Sequence, residues 1–448
     1  MRILFVSSEL TPTASTGELG EAVGALVRSL ARRGHDVVAI VPAYADHPVP
    51  SDAKDLGSLG DIPTFAGPRA MRATFSEDEE TSLRIVRLHC PTLYGRPGIY
   101  GAPDDFEDNP DRFWALAVGA VGALARLEWA PEIAHSHDWH AGWLPALLRS
   151  QSALQTVRTV HTCYDLQMVG LAPMAWATEL GIVPELLTPE GIEYFGQLSF
   201  AKVGLRFADV AVMSTPEGSD PVDGLAGVVR ARGATVARIP RALDVMLHNP
   251  AQDLGLPARF GADDLSGKSL CKRRLQAAMG LEVNPSAVII VVSKDVPSVH
   301  FDGVADPQVQ WLPVDGLSGG MLRLAFAGAD AVMELGNDPW STLMRTAERY
   351  GLATIVLNGP DAPEDAYVFE PEHTGALATA VTRLVTDYSD AQRWNEAIAA
   401  RLRREPERGV ARYEMLYRQT LSHSAGPPIP WAQAALLEQL AAVGQGGR

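Results

Sequence analysis

Two short segments of the chain combine polar and glycine residues in patterns that suit ligand binding. In the first, Ser15, Thr16, Gly17 and Glu18 follow a short apolar run and open an amphipathic stretch. Backbone N–H groups at the start of a helix, together with the helix dipole, favour an anion or a sugar hydroxyl. The glycine spacing is not that of the dinucleotide fingerprint, and a strand-to-helix turn assisted by glycine explains the segment equally well.

The second segment reads HSHDWHAG, from His135 to Gly142. Three histidines and a carboxylate are metal-ligand types, but their mixed strand and helix spacing does not bring them to one point, so we predict neither a metal site nor a cofactor. Asp138 and Trp139 suit a sugar better, because an aromatic face packs on C–H groups while a carboxylate accepts hydrogen bonds from hydroxyls. His161 closes the next predicted strand at its carboxyl end, where open α/β sheets place ligands, although a structural histidine is the alternative.

Strands and helices alternate along the chain and must position these residues. The N-terminal part has apolar runs that predict strands at residues 2–8, 37–41, 83–88, 133–137, 156–161 and 210–214, and amphipathic patterns that predict helices at 19–33, 112–127, 141–151 and 196–207. Residues 241–266 resemble a linker. The second series predicts strands at 287–293, 331–334 and 354–357, and helices at 319–327, 339–350, 375–388 and 431–443. This alternation predicts parallel sheets covered by helices on both faces.

Composition narrows the class of protein. A chain of 448 residues with 46% hydrophobic residues is large enough for two domains with buried cores. The net charge of -16 argues against a nucleic acid or an anionic membrane as partner. No apolar run is long enough to span a bilayer, and three scattered cysteines favour a reducing compartment. We therefore expect a cytoplasmic protein.

These segments resemble the bacterial glycogen and starch synthases, which are retaining glycosyltransferases of the GT-B fold. Besides HSHDWHAG, the resemblance rests on residues 3–9, on LYGRPGIYG at 93–101, on VH at 160–161, on EYFGQLSFAKVGLRFAD at 193–209, and on KRRLQAAMGL at 272–281, with shorter matches up to about residue 421. It implies an α/β protein with two Rossmann-like domains that face an interdomain crevice. The expected boundaries are residues 1–243 for the acceptor-side domain, 244–430 for a truncated nucleotide-side domain, and 431–448 for a helix and tail.

The resemblance also implies the residues of the site. It assigns catalytic roles to His161, Lys294 and Asp338. Together with the residues themselves, it leads us to predict substrate binding at Ser15, Thr16, Gly17, Glu18, Glu21, Tyr94, Asp138, Trp139, Arg241, Ser341 and Thr342. Lys294, Arg241 and the helix start at 338–342 would then meet the diphosphate of a nucleotide-bound donor, while His161 and Glu21 would place the transferred group.

Several positions depart from the family pattern. The family's Lys-Thr-Gly-Gly-Leu reads Ser15 to Leu19 here, so a cation is lost and a glycine becomes Glu18. A second family lysine falls on Val299, and the neutral asparagine of the family's Asn-Gly-Ile-Asp falls on Arg241. The span from Lys294 to Gly328 is too short for the family's elements, which implies that one βαβ unit is missing.

Three functions follow from the matches and departures. The first is a transferase with altered substrates, which resembles the pseudo-glycosyltransferases of aminocyclitol pathways; its partners would be a nucleotide-diphosphate sugar or cyclitol as donor and a sugar or amino sugar as acceptor. The second is a noncatalytic glucan-binding or scaffold protein with a decayed donor site. The third is a glycogen synthase that uses ADP-glucose. The sequence favours them in that order.

Overall fold

The structure, a computed structural model, divides the chain into two compact units. The N-terminal unit comprises Met1–Ala242 and takes up the chain again from Gly409, and the second unit is Leu243–Arg408. Described residues are 1–78, 81–215, 224–244, 248–292, 308–314, 316–317, 319–334, 341–359, 362–370, 373, 375–404, 408–423 and 426. The helix predicted at 431–443 therefore lies outside the described residues.

The N-terminal unit is built on a nine-stranded sheet. The strands of this unit, nine in the large sheet and three in a smaller one, are β1 (Arg2–Val6), β2 (Asp36–Pro42), β3 (Lys54–Ile62), β4 (Arg69–Glu77), β5 (Arg84–His89), β6 (Ile133–His137), β7 (Arg158–Cys163), β8 (Leu171–Pro173), β9 (Glu193–Tyr194), β10 (Gln197–Ser199), β11 (Val210–Met213) and β12 (Val236–Arg238). The large sheet runs in the order β12-β11-β7-β6-β1-β2-β5-β4-β3, and β8, β10 and β9 form a small antiparallel sheet.

Helices cover both faces of this sheet. They are α1 (Glu18–Arg32), α2 (Pro91–Tyr94), α3 (Asn109–Leu127), α4 (Leu144–Ser150), α5 (Trp176–Glu179), α6 (Phe200–Phe207) and α7 (Ala226–Arg232). Side chains of α3, α4 and α6 share one core with Leu4 and Val6 of β1. Side chains of α1 share the other with Ile3 and Phe5, because successive residues of a strand point to opposite faces.

The second unit has a five-stranded, fully parallel sheet. Its elements are α8 (Ser266–Ala278), β13 (Val288–Val292), β14 (Val309–Pro313), α9 (Gly319–Gly328), β15 (Ala331–Met333), α10 (Thr342–Arg349), β16 (Ala353–Leu357), β17 (Tyr367–Phe369), α11 (Ala376–Ser389) and α12 (Ala391–Arg403). The strand order is β14-β13-β15-β16-β17. The predicted α/β architecture with parallel sheets is thus confirmed in both units.

Three features differ from the sequence-based expectation. The hairpin of β3 and β4 adds an antiparallel edge to the large sheet; its alternation is interrupted by register shifts between Asp55 and Gly57 and between Ser58 and Gly60. Strand β14 was not predicted. The last described helix, α13 (Arg408–Ser422), packs into the N-terminal unit through Val410, Tyr413 and Tyr417, so the second unit ends at Arg408 rather than at residue 430.

None of the helices in the described part of the chain is long and apolar enough to cross a membrane.

Candidate active site

The candidate site lies at the carboxyl ends of three adjacent parallel strands. Strands β1, β6 and β7 are neighbours in the large sheet, so the segments that follow them emerge at one edge. Residues 7–18 follow β1, Asp138 follows β6, and Tyr164 follows β7. Arg241 comes a few residues after β12 and reaches the same place. This edge therefore brings together the predicted residues Glu18, Asp138 and Arg241.

The loop that opens α1 is held from one side and open on the other. The hydroxyl of Ser15 donates to the carbonyl oxygen of Gly17 at 3.3 Å. A Cβ on Gly20 would lie 2.4 Å from Ser15 Oγ, so only glycine fits there. A Cβ on Gly17 would meet no atom within 4 Å. The backbone at Gly17 is therefore exposed and can be approached closely from outside.

Arg241 forms an ion pair across this loop. Its Nη1 lies 3.2 Å from Glu18 Oε2, and its guanidinium carbon lies 5.7 Å from the centre of the Tyr164 ring. The Arg241 side chain is 15% exposed and the Glu18 side chain 59% exposed. A buried, unpaired guanidinium is costly, so the sequence predicts that Arg241 either meets a carboxylate such as Asp244 or Glu18 or awaits an anionic substrate. In the structure Arg241 meets Glu18, and the pair is open to solvent on the glutamate side.

Asp138 is a buried carboxylate in a strained backbone position. Its φ of 51° with a ψ of -176° lies close to a region that is almost confined to glycine, so the backbone is strained here. The backbone N–H of Asp138 donates to Thr162 O at 2.8 Å, and its Oδ1 accepts from the Tyr164 N–H at 2.8 Å. The pKa of Asp138 is raised to about 7, mainly by burial; the Tyr164 N–H and Arg241 oppose the rise, and Asp165 and Glu9 add to it. A carboxyl group that titrates near neutral pH is suited to proton transfer.

Glu21 adds a further carboxyl group in the first turn of α1. Its side chain faces Glu18 and Glu9, and partial burial, followed by these two charges, raises the pKa of Glu21. The start of α1 is consequently rich in negative charge.

Trp139 and His140 are core residues rather than sugar platforms. The Trp139 side chain is 7% exposed and lies edge-on to Phe113 at 5.1 Å. A Cβ on Gly170 would lie 2.2 Å from the Trp139 ring, which shows how tightly the loop after β7 covers it. The prediction that the Trp139 face packs on a sugar is therefore corrected: the turn after Asp138 directs this ring into the core.

His161 is likewise enclosed. Strand β7 continues two residues beyond the predicted end, so His161 lies inside the strand rather than at its end. Its Nδ1 lies 2.9 Å from Ser136 Oγ, and a Cβ on Gly204 of α6 would lie 2.5 Å from its ring. Burial lowers the pKa of His161 to about 3, so the imidazole is neutral. The predicted placement of His161 at the open edge is corrected because α6 packs over it; its catalytic role stays a prediction.

The histidines in the strand part of the segment are also buried, and His135 contacts the last described helix. His135 Nδ1 lies 2.7 Å from Tyr417 Oη, and His135 Nε2 lies 2.7 Å from Thr162 Oγ1. His137 stacks on Phe5 with ring centres 5.7 Å apart. Period-two spacing puts His135 and His137 on one face of the sheet. Among the described residues, no group of three His, Cys, Asp or Glu side chains could hold a metal ion.

Tyr94 is fully buried, whereas Tyr100 lies at the edge of the sheet. The Tyr94 hydroxyl donates to Arg112 O at 2.7 Å inside the core, so the predicted contact of Tyr94 with substrate is corrected. Tyr100, in the same segment, reaches the edge instead and donates to Glu9 Oε1 at 2.6 Å.

In the second unit, the predicted residues that the structure describes are at the start of α10. Ser341 caps this helix by accepting from the Met344 N–H at 3.2 Å, and its hydroxyl donates to Glu334. Thr342 is the first residue of the helix. Lys294, Asp338 and the Val299 position lie outside the described residues.

Besides Tyr100, the residues Glu9 and Tyr164 lie at the edge and were not predicted from sequence. Glu9 is 3% exposed and Tyr164 is 7% exposed, and each contacts a predicted residue. A carboxylate directly after a buried strand was a usable signal for Glu9. Nothing in the sequence pattern distinguishes Tyr164.

The sequence of this chain matches known proteins over most of its length. Residues 2–217 match the starch synthase catalytic domain. Glycogen synthases of Anaeromyxobacter dehalogenans and Myxococcus xanthus are 32% and 30% identical to this chain, each over 93% of it and 99% of the relative. The chain belongs to the glycogen and starch synthase family. The chain is accordingly a glycosyltransferase of the GT-B type.

Solved structures of other proteins share the fold of this chain. The catalytic domain of Starch Synthase IV from Arabidopsis thaliana, bound to ADP and acarbose, superposes with a TM-score of 0.78 at 20% identity, covering 94% of this chain and 99% of the other. Sucrose-phosphate synthase from Thermosynechococcus elongatus has a TM-score of 0.52 at 18% identity with the same coverage. Both comparisons support the GT-B fold.

Proposed function

We propose that this glycosyltransferase moves a sugar or cyclitol from a nucleotide-diphosphate donor, with retained configuration, to a sugar or amino-sugar acceptor, and that it serves aminocyclitol biosynthesis. The reaction breaks the bond between the transferred carbon and the diphosphate oxygen. It forms a bond from that carbon to an acceptor oxygen or nitrogen and releases the acceptor's proton. Lys294, Asp338 and the start of α10 with Ser341 and Thr342 are proposed for the donor side.

The observation that carries this proposal is the ion pair of Arg241 with Glu18. Where the family has a lysine and a glycine in the loop before α1, this chain has Ser15 and Glu18. A lysine contact to a phosphate is a charge-assisted hydrogen bond of about 1.5–3 kcal/mol, and this chain lacks it at Ser15. Arg241 supplies a guanidinium that suits a phosphate group on a substrate. These departures support a donor or acceptor that differs from that of the family.

The charge around the edge supports an acceptor that carries an amine. Glu18 pairs with Arg241, the charges of Arg241 and Glu9 both act on Asp138, and the charges of Glu18 and Glu9 act on Glu21, so this edge carries four carboxyl groups. Negative charge favours an ammonium group over a neutral hydroxyl, and an ammonium must lose a proton before its nitrogen can attack. A carboxylate that titrates near pH 7 is matched to that task. These charges support the amino-sugar acceptor.

A panel of nucleotide sugars and nucleotide cyclitols tests the donor. A ligand at 100 times its Kd adds about 2.7 kcal/mol to the stability of the folded protein, so thermal unfolding detects it. We expect a nucleotide cyclitol to raise the melting temperature more than ADP-glucose does, and a transfer assay with amino-sugar acceptors to identify the product. If glucans alone stabilise the protein and no nucleotide compound does, the proposal is wrong and the chain is a glucan-binding protein.

An ordinary glycogen synthase activity is the second candidate, and the names of the relatives favour it. We expect the purified protein not to extend glycogen from ADP-glucose at the rate of the Myxococcus xanthus enzyme, which serves as the control in the same assay. The double variant Ser15→Lys with Glu18→Gly restores the family loop and should strengthen ADP-glucose binding. Robust extension by the unaltered protein would establish the second candidate.

A further inference from the structure

A buried glutamate, which the sequence did not single out, holds the start of α1 in place. The Glu9 carboxylate is 3% exposed and accepts three hydrogen bonds. Its Oε2 accepts from the Thr16 N–H at 2.6 Å, and its Oε1 accepts from Thr16 Oγ1 at 3.0 Å and from Tyr100 Oη at 2.6 Å. Two of the three bonds therefore fix one residue, Thr16, in the loop before the helix.

Tyr100 connects this glutamate to the segment that carries Asp138. The Tyr100 hydroxyl lies 2.9 Å from Ser8 Oγ as well as close to Glu9, and its ring packs on the ring of His140 with centres 4.9 Å apart. His140 belongs to the turn directly after Asp138. Glu9 thus joins the ends of β1 and β6 through one tyrosine.

The loop is closely packed on the side of Glu9. A Cβ on Gly20 would lie 3.0 Å from Glu9 Oε2, and the Thr11 N–H donates to Gly20 O at 3.0 Å. Gly17, by contrast, faces open space. Movement of Thr16 away from Glu9 would therefore break two hydrogen bonds to a buried charge, which is costly.

We infer that Glu9 is a positioning residue for the proposed transfer: it fixes Thr16 and the exposed backbone of Gly17 at the substrate edge. The inference rests on the proposed function for the identity of the substrates alone. The hydrogen bonds belong to the protein without ligand, and so does the effect of the Glu9 charge on Asp138.

The charge effect has a defined direction. Burial is the main cause that raises the pKa of Asp138; Asp165 and Glu9 raise it further, and the Tyr164 N–H and Arg241 lower it. Removing the charge of Glu9 therefore lowers the pKa of Asp138. Glu9 also raises the pKa of Glu21, so the effect on Asp138 must be separated from that on Glu21.

Two substitutions separate positioning from charge. In Glu9→Gln the amide oxygen accepts from the Thr16 N–H while the amide nitrogen donates to the two hydroxyls, since a hydroxyl both accepts and donates. The loop is kept and the charge is lost. In Glu9→Ala both are lost. Glu185→Gln removes an exposed charge on a short turn remote from Thr16 along the chain and serves as the control for net charge.

Hydrogen exchange of the ligand-free protein measures positioning. We expect the Thr16 amide to exchange at least tenfold faster in Glu9→Ala and within about threefold of the native rate in Glu9→Gln and Glu185→Gln, with no change in other protected amides. An unchanged Thr16 amide in Glu9→Ala overturns the positioning role. If Glu9→Ala does not fold, Tyr100→Phe and Thr16→Val, which each remove one hydroxyl from Glu9, take its place.

The dependence of melting temperature on pH measures the charge effect. A pKa raised to about 7 means that the folded state binds a proton that the unfolded chain has lost, so the Asp138 contribution is present below about pH 4 and is lost as the pH rises through about 7. Glu9→Gln should flatten this decline, and should flatten it less in a chain that also carries Asp138→Asn, where the effect on Glu21 alone is left. Equal flattening in both backgrounds would overturn the effect on Asp138.

Kinetics then tie the residue to transfer. With a donor found in the panel, Glu9→Ala should raise KM for the donor or lower kcat by about tenfold, and Glu9→Gln should recover most of that loss, with its pH–rate midpoint at lower pH. Equal loss in both variants would refute a positioning role. If the panel yields no donor, the proposed function fails, while the exchange and melting experiments still decide the role of Glu9.

Discussion

Residues 15–18 and residues 135–142 both follow strands that end at the same edge of the large sheet, yet they meet different surroundings. In the first segment Gly17 has open space beside it, and Glu18 is mostly exposed. In the second, the histidines, Trp139 and Asp138 are all buried, and the charge of Arg241 acts on the Asp138 carboxyl group. Residue types that suit chemistry are therefore not enough, because packing decides which of them a substrate can reach.

The largest effect should come from Asp138. Asp138→Asn keeps the size of the side chain and the acceptor for the Tyr164 N–H, but it removes the titrating group. We expect transfer to fall by about 100-fold or more, as for loss of a general base. The native rate should rise as the pH passes through about 7, because Asp138 then loses its proton. Steady-state kinetics from pH 5 to 9 check both statements.

His161→Asn is the control for that pH profile. The pKa of His161 is lowered to about 3 by burial, so the imidazole does not titrate over this range. The rise near pH 7 should persist in His161→Asn and vanish in Asp138→Asn. The opposite result would place His161, and not Asp138, at the open edge.

Overpacking beside His161 should have the next largest effect. In Gly204→Ala the new Cβ would lie 2.5 Å from the His161 ring, which Ser136 holds in place. We expect a net loss of about 1–3 kcal/mol in the free energy of unfolding. Gly227→Ala, also in a helix but with no atom within 4 Å of the new Cβ, should be neutral or gain up to about 1 kcal/mol. Urea unfolding of both variants compares them, and an unaffected Gly204→Ala would show that His161 is not locked.

Gly17 and Gly20, at the start of α1, should respond differently to substitution by alanine. Gly20→Ala places a Cβ 2.4 Å from Ser15 Oγ and should lower stability by about 1–3 kcal/mol. Gly17→Ala meets no atom, and its φ of 179° is extended backbone, so stability should change by less than about 0.5 kcal/mol. Gly17→Ala should nonetheless raise KM, because the methyl group occupies the face that substrate approaches. Unchanged kinetics would remove Gly17 from the site.

Arg241→Ala should also change stability little. Its partner Glu18 is 59% exposed, and such pairs contribute about 0–1 kcal/mol. We expect a nearly unchanged melting temperature and a higher KM for a phosphorylated substrate. Glu18→Gln, which leaves the guanidinium in place, is the matched variant. A clear loss of stability with native kinetics would instead make the pair structural.

Much of the fold was predictable because burial in a parallel sheet requires continuous apolar runs. The predicted strand 133–137 matches β6 in full, and the predicted helix 319–327 differs from α9 by one residue. The β3–β4 hairpin escaped because its faces are partly exposed and its register shifts twice. The attachment of α13 escaped because Tyr413 and Tyr417 find His135 and Thr162 across more than 250 residues of chain.

The site was partly predictable for the same reason. Position after a buried strand identified Asp138 and the loop from Ser15 to Glu18. The pairing of Arg241 with a carboxylate followed from the cost of a buried, unpaired guanidinium. Trp139 and Tyr94 were assigned from residue type and family pattern, and neither reveals which way a ring points. Glu9 follows a buried strand directly and could have been identified in the same way, but its contacts with Thr16 and Tyr100 depend on the folded chain.

The sequence by itself determined the α/β architecture, the family, and the change of charge before α1, because each depends on residue type and order along the chain. The tertiary structure decided which polar groups stay open, since strand direction, the helix laid over each strand, and the loops packed against each ring are set by residues far apart in sequence. His161 lies beneath α6, Trp139 beneath the loop at Gly170, and Thr16 against Glu9. Accessibility is a property of that packing, and no local run of residues contains it.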